Sequence, residues 1–529
     1  MPRFSLSSSH GASFLSHRIL PFLALLLCVI AIVALRGLTF DEPLERDHAI
    51  YAVAAHEMLA GRPLYSDIWD IKPPAIYLTY ALAELALGYG HTAIFLLGVG
   101  AATATLFGIY SVVKAFSGDS LAALWAAFFW VLVSSDMKLQ ANQPNTEVFI
   151  NLFLVGGLAF LAHAYRTTAP NRCQRLLWSA GCCWAMAVWF KQVAFLVPLF
   201  FAIGVWWRPP HTLNKPPTSA RTRFFSAAGL WMPSVTLWAL TFAYFCATDR
   251  YSVFIFTLVD YGRQYAREGA SIMFTGVSLW RRMLPQELFF LLPLLLLLMM
   301  GLRARQPLPR VWGALLLYFL AVQGAIALPG QYLTHYYQLW LPVAVIGGGL
   351  GWAQWRKEAT PRAAAKKATV VTLAPGVAAL VLLATQWSNW NLPLAEFSHQ
   401  KYDNDYFALL PDTSRALDKM LLPRETFYQM GYDAGLYFQT RRRPPVGVLS
   451  LGSPYLTPLP TWFQNRIIAD LEREKPELAV VDSAFPRTPV TRYLQEHYAM
   501  LPLRAGPPQL LFMARRDGAL MRRLAARTR

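Results

Sequence analysis

ERDHAIYAVAAHEMLAGRPLYSDIWDIKPPAIY, residues 45–77, gathers Glu45, Asp47, His48, Glu57, Asp67, Asp70 and Lys72 directly after the first long apolar run of the chain. Ionisable groups at a bilayer edge are costly to desolvate, and where they are kept they mark a working site. The rest of the 529 residues are arranged very differently: 55% of the chain is hydrophobic and 15% charged, outside the balance of a soluble domain. Apolar windows at 19–36, 91–113, 147–164, 226–246, 286–301, 311–328 and 368–386 approach the roughly 20 residues that a spanning helix needs. The pattern predicts an α-helical polytopic membrane protein. The run 19–35 ends in Arg36 and an acidic loop, with no small-residue cleavage site, and reads as a retained first span rather than a signal peptide.

A net charge of +18 would suit nucleic acid if the basic residues formed a face. They sit instead in short connectors at 165–175, 208–225, 302–310 and 355–367, the distribution that orients membrane proteins with basic loops in the cytoplasm. No nucleic-acid partner is expected. With a cytoplasmic N-terminus carrying Arg3 and Arg18, this parity requires 75–88 to be a juxtamembrane or re-entrant helix. It also requires 176–207 to be a hairpin that turns on the outer side at Lys191. About eleven spans result, with the loop 37–90 and the segments 138–146, 247–285 and 329–337 outside.

From residue 387 the composition becomes that of a soluble unit. The β-like runs TFYQMG (426–431), VGVLSL (446–451), ELAVVD (477–482) and QLLFMA (509–514) alternate with helix-like stretches near 412–420, 461–474 and 488–498. This predicts a small α/β domain over 387–529, outside the membrane, following a membrane domain over 1–386. The five cysteines, Cys28, Cys173, Cys182, Cys183 and Cys246, show no pairing or metal-ligand spacing and read as packing residues. No phosphate-binding glycine loop, Ser-His-Asp pattern or HExxH motif is evident.

Asp47 stands four residues before Tyr51 at the start of a helical pattern, where it is either a helix-capping carboxylate or a general base. Lys72 precedes Pro73 and Pro74, which restrict the backbone; it either snorkels or pairs with Asp70, or presents a fixed cation to a phosphate. Gln143, Asn145, Thr146 and Glu147 suit a helix start or a sugar's hydroxyls. In GQYLTHYYQLWLP, Tyr336 and Tyr337 fit an interfacial aromatic belt, while His335 and Gln338 add polar recognition. Asp260, Tyr261, Arg263, Tyr265 and Arg267 read as a solvated amphipathic segment, and Arg441–Arg443 and the Arg-rich tail as surface charge.

At these residues the chain resembles the GT-C glycosyltransferases, in particular the bacterial branch similar to protein O-mannosyltransferases and lipid A aminoarabinose transferases. The matching pieces are Asp47, Tyr51, Met58-Leu59 with Gly61, and Lys72-Pro73-Pro74, with weaker matches at Asn145-Thr146-Glu147 and His335-Tyr336-Tyr337. Many relatives have an Asp-Glu pair where this chain has Asp47-His48. The resemblance, over about 15–386, implies inverting transfer of a sugar from a polyprenyl-phosphate carrier to an extracytoplasmic glycolipid, polysaccharide or protein, in a bacterial inner membrane. It makes Asp47 the base, with burial raising its pKa. Lys72, aided by Lys191, would neutralise the leaving phosphate. His48, Tyr51, Asp70, Asn145, Glu147, His335, Tyr336 and Gln338 would complete the substrate site. It requires no cofactor and leaves a divalent ion open. The competing reading is a transporter or lipid flippase, which predicts internal repeats and broken helices at mid-membrane; no convincing repeat is seen, and the notable charges cluster at one surface instead.

Overall fold

In the computed structural model, the structure describes residues 9–210, 219–271, 273–304, 309–358, 365–431, 433–451, 460–485 and 487–527. Lys215, Arg305 and Arg362, among the basic connectors, lie outside the described residues. The first apolar run forms α1 (Ser9–Gly37), and the acidic stretch that follows carries α2 (Arg46–Leu59) and α3 (Pro74–Leu87). Pro74 opens α3 at the one helical position where a missing N–H costs nothing. Then come α4 (His91–Ser117), α5 (Ser120–Val133) and α6 (Thr146–Ala164). Asp119 caps α5 by accepting the N–H groups of Leu121 and Ala122, and Asn145 caps α6.

α7 (Pro170–Phe190) and α8 (Leu196–Trp207) are separated by an extended Lys191 and one 3-10 turn, which is the hairpin that charge parity required. α9 (Ala220–Ala247), α10 (Tyr251–Ile255), a π turn at Phe256–Tyr261 and α11 (Gly262–Ser271) lead to α12 (Met273–Leu302) and α13 (Pro309–Ala327). A 3-10 turn at Thr334–Leu339 then precedes α14 (Trp340–Glu358) and α15 (Ala365–Trp390).

Among the described residues, α1, α4, α6, α9, α13 and α15 are long and apolar enough to cross a bilayer. α5, α7, α8, α12 and α14 pack among them, and α5, α8 and the 288–302 part of α12 are shorter apolar helices. Leu20, Phe22, Leu240 and Leu380 stand exposed on this bundle, as side chains facing lipid do. Without a hydrophobic drive between helices in lipid, close approach depends on small residues. A Cβ placed on Gly301 of α12 would lie 2.3 Å from the Gly351 Cα of α14, so only glycine lets the two backbones meet there.

The C-terminal part begins with α16 (Leu394–Tyr402) and α17 (Tyr406–Met420) and continues with β1 (Phe427–Met430), α18 (Gly435–Thr440), α19 (Thr461–Glu474), β2 (Leu478–Asp482), α20 (Pro489–His497), β3 (Tyr498–Met500), β4 (Leu510–Arg515) and α21 (Ala519–Arg527). The sheet order is β1-β2-β4-β3, with β1 and β2 parallel and β4 antiparallel to both neighbours. The small α/β unit is therefore present, with two differences from expectation. The end of the 488–498 helical stretch supplies edge strand β3. VGVLSL does not join the sheet: Val448 makes an isolated parallel bridge to Trp69 in the first loop, whose N–H donates to the Gly447 carbonyl at 2.8 Å. A Cβ on Gly447 would stand 1.8 Å from the Asp67 carbonyl oxygen, so the loop approaches closer than any side chain allows.

Other contacts tie the same two parts together. Arg62 donates to the Pro444 carbonyl at 2.9 Å, and Arg466 donates to the carbonyls of Tyr65 and Ser66. Lys401 of α16 pairs with Glu42 at 2.9 Å, both side chains fully buried, and Asn142 donates to the other Glu42 oxygen at 2.6 Å. The first loop thus lies between the helical bundle and the C-terminal unit.

Candidate functional site

The site forms where five separate segments meet at one end of the bundle. The first turn of α2 brings in Asp47. Its carboxylate is 3.1 Å from Arg46 Nε and 3.7 Å from Lys72 Nζ, with the Tyr51 hydroxyl 3.4 Å away. Spacing of four residues puts Asp47 and Tyr51 on one helix face. Tyr51 also lies 3.2 Å from Asn145 Oδ1, which accepts the Thr146 N–H at 2.7 Å. Asn145 is therefore a cap that also faces the site.

Lys72 is fixed through its backbone: its carbonyl accepts from the Tyr65 hydroxyl at 2.7 Å, and its N–H donates to the Tyr77 oxygen at 3.2 Å. Tyr65 sits at a φ of 69°, a conformation costly for a bulky residue and held here by aromatic neighbours Phe245 and Phe254. Glu147, one residue into α6, pairs with Lys191 at 2.9 Å. That ammonium also rests 3.4 Å from the centre of the Tyr336 ring, a desolvated cation–π contact. His335 and Tyr336 come in from the 3-10 turn before α14, and Tyr265 of α11 hydrogen-bonds Tyr336.

Electrostatics decide the state of the carboxylate. Burial by itself pushes the Asp47 carboxyl up, but the charges of Lys72 and then Arg46 outweigh it and hold the group well below the ordinary carboxylate range. The expectation of a raised pKa is reversed, because the cations come within ion-pair distance. Burial pulls the Lys72 ammonium down, and Asp47 and Glu147 more than compensate, raising it to about 12. His335 is lowered, chiefly by burial, so the ring is neutral near pH 7 although Glu147 and Asp47 act in the opposite direction.

Asp47, Tyr51, Lys72, Asn145, Glu147, Lys191, His335 and Tyr336 are thus brought into one cluster. Three expected substrate contacts lie behind it. His48 is fully buried, with Nδ1 3.0 Å from Glu45 Oε1, so it fills the space under α2 instead of facing the cluster. Asp70 does not pair with Lys72; it accepts the Tyr77 hydroxyl at 2.6 Å, and burial raises its pKa. Gln338 spends its amide on the carbonyls of Leu139 and Gln140, at 2.8 and 3.2 Å, and holds the 134–145 segment in place.

Two residues of the cluster were not anticipated. Arg46 is simply the neighbour of Asp47, a signal present in the sequence. Tyr265 belongs to a segment expected to be solvated; Asp260, Arg263 and Arg267 are exposed there, but Tyr261 packs edge-on against Trp69 and Tyr265 reaches Tyr336.

The donor set does not fit a divalent ion. The Asp47 and Glu147 carboxylates are each occupied by cations, and among the described residues no three His, Cys, Asp or Glu gather to hold a metal. A groove of about 590 Å³ is lined by Pro74 and Trp189, each two positions along the chain from a site lysine, and runs past Leu237, Leu240 and Tyr244 of α9 to Arg250.

A scan of family models and a search of curated proteins return no match to the sequence. Solved structures do match. The crystal structure of ArnT from Cupriavidus metallidurans bound to undecaprenyl phosphate aligns over 94% of this chain and 98% of its own, with 14% identity and a TM-score of 0.59. The same protein in its apo state aligns over 92% and 97%, with 14% identity and a TM-score of 0.55. The apo oligosaccharyltransferase of Archaeoglobus fulgidus aligns over 91% of this chain and 73% of its own, with 14% identity and a TM-score of 0.54. At this identity the likeness establishes the fold.

Proposed function

We propose that this chain, which has the fold of the GT-C glycosyltransferases, transfers a sugar from a polyprenyl-phosphate carrier to an acceptor hydroxyl on the face where the first loop lies. The observation that carries the reading is the Asp47–Lys72 pair at the edge of the bundle, a base and a phosphate ligand 3.7 Å apart. In the oriented membrane that face is the periplasmic side of a bacterial inner membrane, with the N-terminus cytoplasmic and the C-terminal unit outside.

In the reaction, Asp47 takes the proton of the acceptor hydroxyl. The acceptor oxygen attacks the anomeric carbon from the side opposite the carrier, and the bond from that carbon to the phosphate oxygen breaks with inversion. The electron pair leaves on the carrier phosphate, whose added negative charge meets the Lys72 ammonium. The cations that depress Asp47 have a function here. A phosphate that engages Lys72 draws positive charge from the carboxylate and makes it more basic only when donor is bound. Tyr51, beside Asn145, lies against the carboxylate, while Tyr336, Tyr265 and the neutral His335 wall the sugar's side. The groove beside Pro74 and Trp189 has the apolar lining that a prenyl chain needs.

Purified protein given a labelled polyprenyl-phosphate sugar should release carrier phosphate or label an acceptor. Asp47→Asn should stop turnover while the protein stays folded and donor still binds. Undiminished turnover in Asp47→Asn would overturn the mechanism.

A further inference from the structure

A second cavity lies at the opposite end of the bundle. α4, α6 and α8 start at the end that carries the first loop and run away from it, whereas α13 runs towards it. Their far ends enclose about 650 Å³ between apolar walls that include Phe116, Phe201 and Leu317, with Arg166, Arg208 and Arg310 exposed around the rim. α6 has 19 residues, so at 1.5 Å per residue the rim is about 28 Å from the site, the thickness of a bilayer core.

Two contacts shape this rim. Arg166 Nη1 donates to the Ala115 carbonyl at 2.8 Å, which lays the guanidinium against the end of α4. The Tyr165 hydroxyl donates to the Arg208 carbonyl at 2.7 Å and pins the backbone that carries Arg208. A soluble anion would have no use for the apolar walls, and an uncharged lipid none for three guanidinium groups. Arginine's planar fork suits phosphate oxygens, and basic pockets between membrane helices select anionic headgroups. From this charge complementarity we infer that the cavity holds an anionic phospholipid of the leaflet opposite the catalytic face. Its phosphate lies against Arg166, Arg208 and Arg310 and an acyl chain runs between α6, α8 and α13. This site is independent of the transfer reaction and of its donor.

Gly313 offers a direct probe, because it lines the cavity and a Cβ built there meets nothing within 4 Å. A Cβ at this position enters open space. The test is native mass spectrometry of the full-length protein in detergent, titrated with phosphatidylglycerol or with phosphatidylcholine of the same chains. One phosphatidylglycerol should be retained in preference to phosphatidylcholine. Arg166→Gln and Arg208→Gln should each lower that retention about fivefold, and Gly313→Leu should remove it, with melting temperatures unchanged. Equal retention of the two lipids, unaltered retention in the arginine variants, or displacement of the phosphatidylglycerol by undecaprenyl phosphate would overturn the inference.

Discussion

In the free protein the Asp47 carboxylate sits between Arg46 and Lys72, and a phosphate arriving beside Lys72 competes for the same ammonium. Because the carboxyl is held below its ordinary range, it is ionised throughout about pH 5 to 8, and kcat/KM should show no acid limb from it there. Lys72→Gln removes a cation, so the Asp47 pKa rises and the limb moves up; a pH–rate profile with the same limb in both proteins would contradict this. The corresponding stability is present above the unfolded carboxylate pKa and is lost as pH falls through the lower folded value. Lys72→Ala should also weaken donor binding by about 1.5 to 3 kcal/mol, measured by titration of the carrier phosphate. These two residues were legible because one short stretch holds both and Pro73-Pro74 announces a fixed backbone. The true place of Asp70 was not legible, since only the fold shows that Tyr77 reaches it before Lys72 does.

Between α2 and α3 the first loop holds a tight turn at 63–68 by its own backbone bonds, and the C-terminal unit covers that turn. Trp69 is the centre of that cover: its indole N–H donates to Thr257 at 2.9 Å, its backbone bridges to Val448, and Phe463 and Tyr261 pack on its ring. Gly447→Ala drives a methyl group into the Asp67 carbonyl and should cost about 1 to 3 kcal/mol by overpacking. Limited proteolysis should then cut first within 64–69, and turnover should fall although every residue of the cluster is intact; an unchanged cleavage pattern would refute the coupling. A short β-like run made 446–451 look like a sheet strand. The same run serves a single bridge to a loop, and its pattern alone cannot tell the two partners apart.

For the whole molecule, the helical bundle was legible in the apolar runs, and charge parity had grouped 37–90, 138–146, 247–285 and 329–337, whose residues meet in the cluster at one end of that bundle. The locking of the first loop by the C-terminal unit was not written there, because it depends on single contacts such as Lys401 to Glu42 across 359 positions. Lys401→Ala leaves the buried Glu42 carboxylate without its counter-charge, with Asn142 still donating to it, and should cost about 3 to 5 kcal/mol. A Glu42→Gln/Lys401→Met pair should recover most of that loss in thermal unfolding; equal melting in all three proteins would show the pair to be neutral. The distance along the chain also sets a clock. At the ordinary rate of synthesis, about 5 to 20 residues per second, some 20 to 80 s pass between the emergence of Asp47 and that of Gly447 and Arg466. Over that interval the nascent protein adds its membrane helices around Asp47 and Lys72 while the segments that cover their loop are still to come.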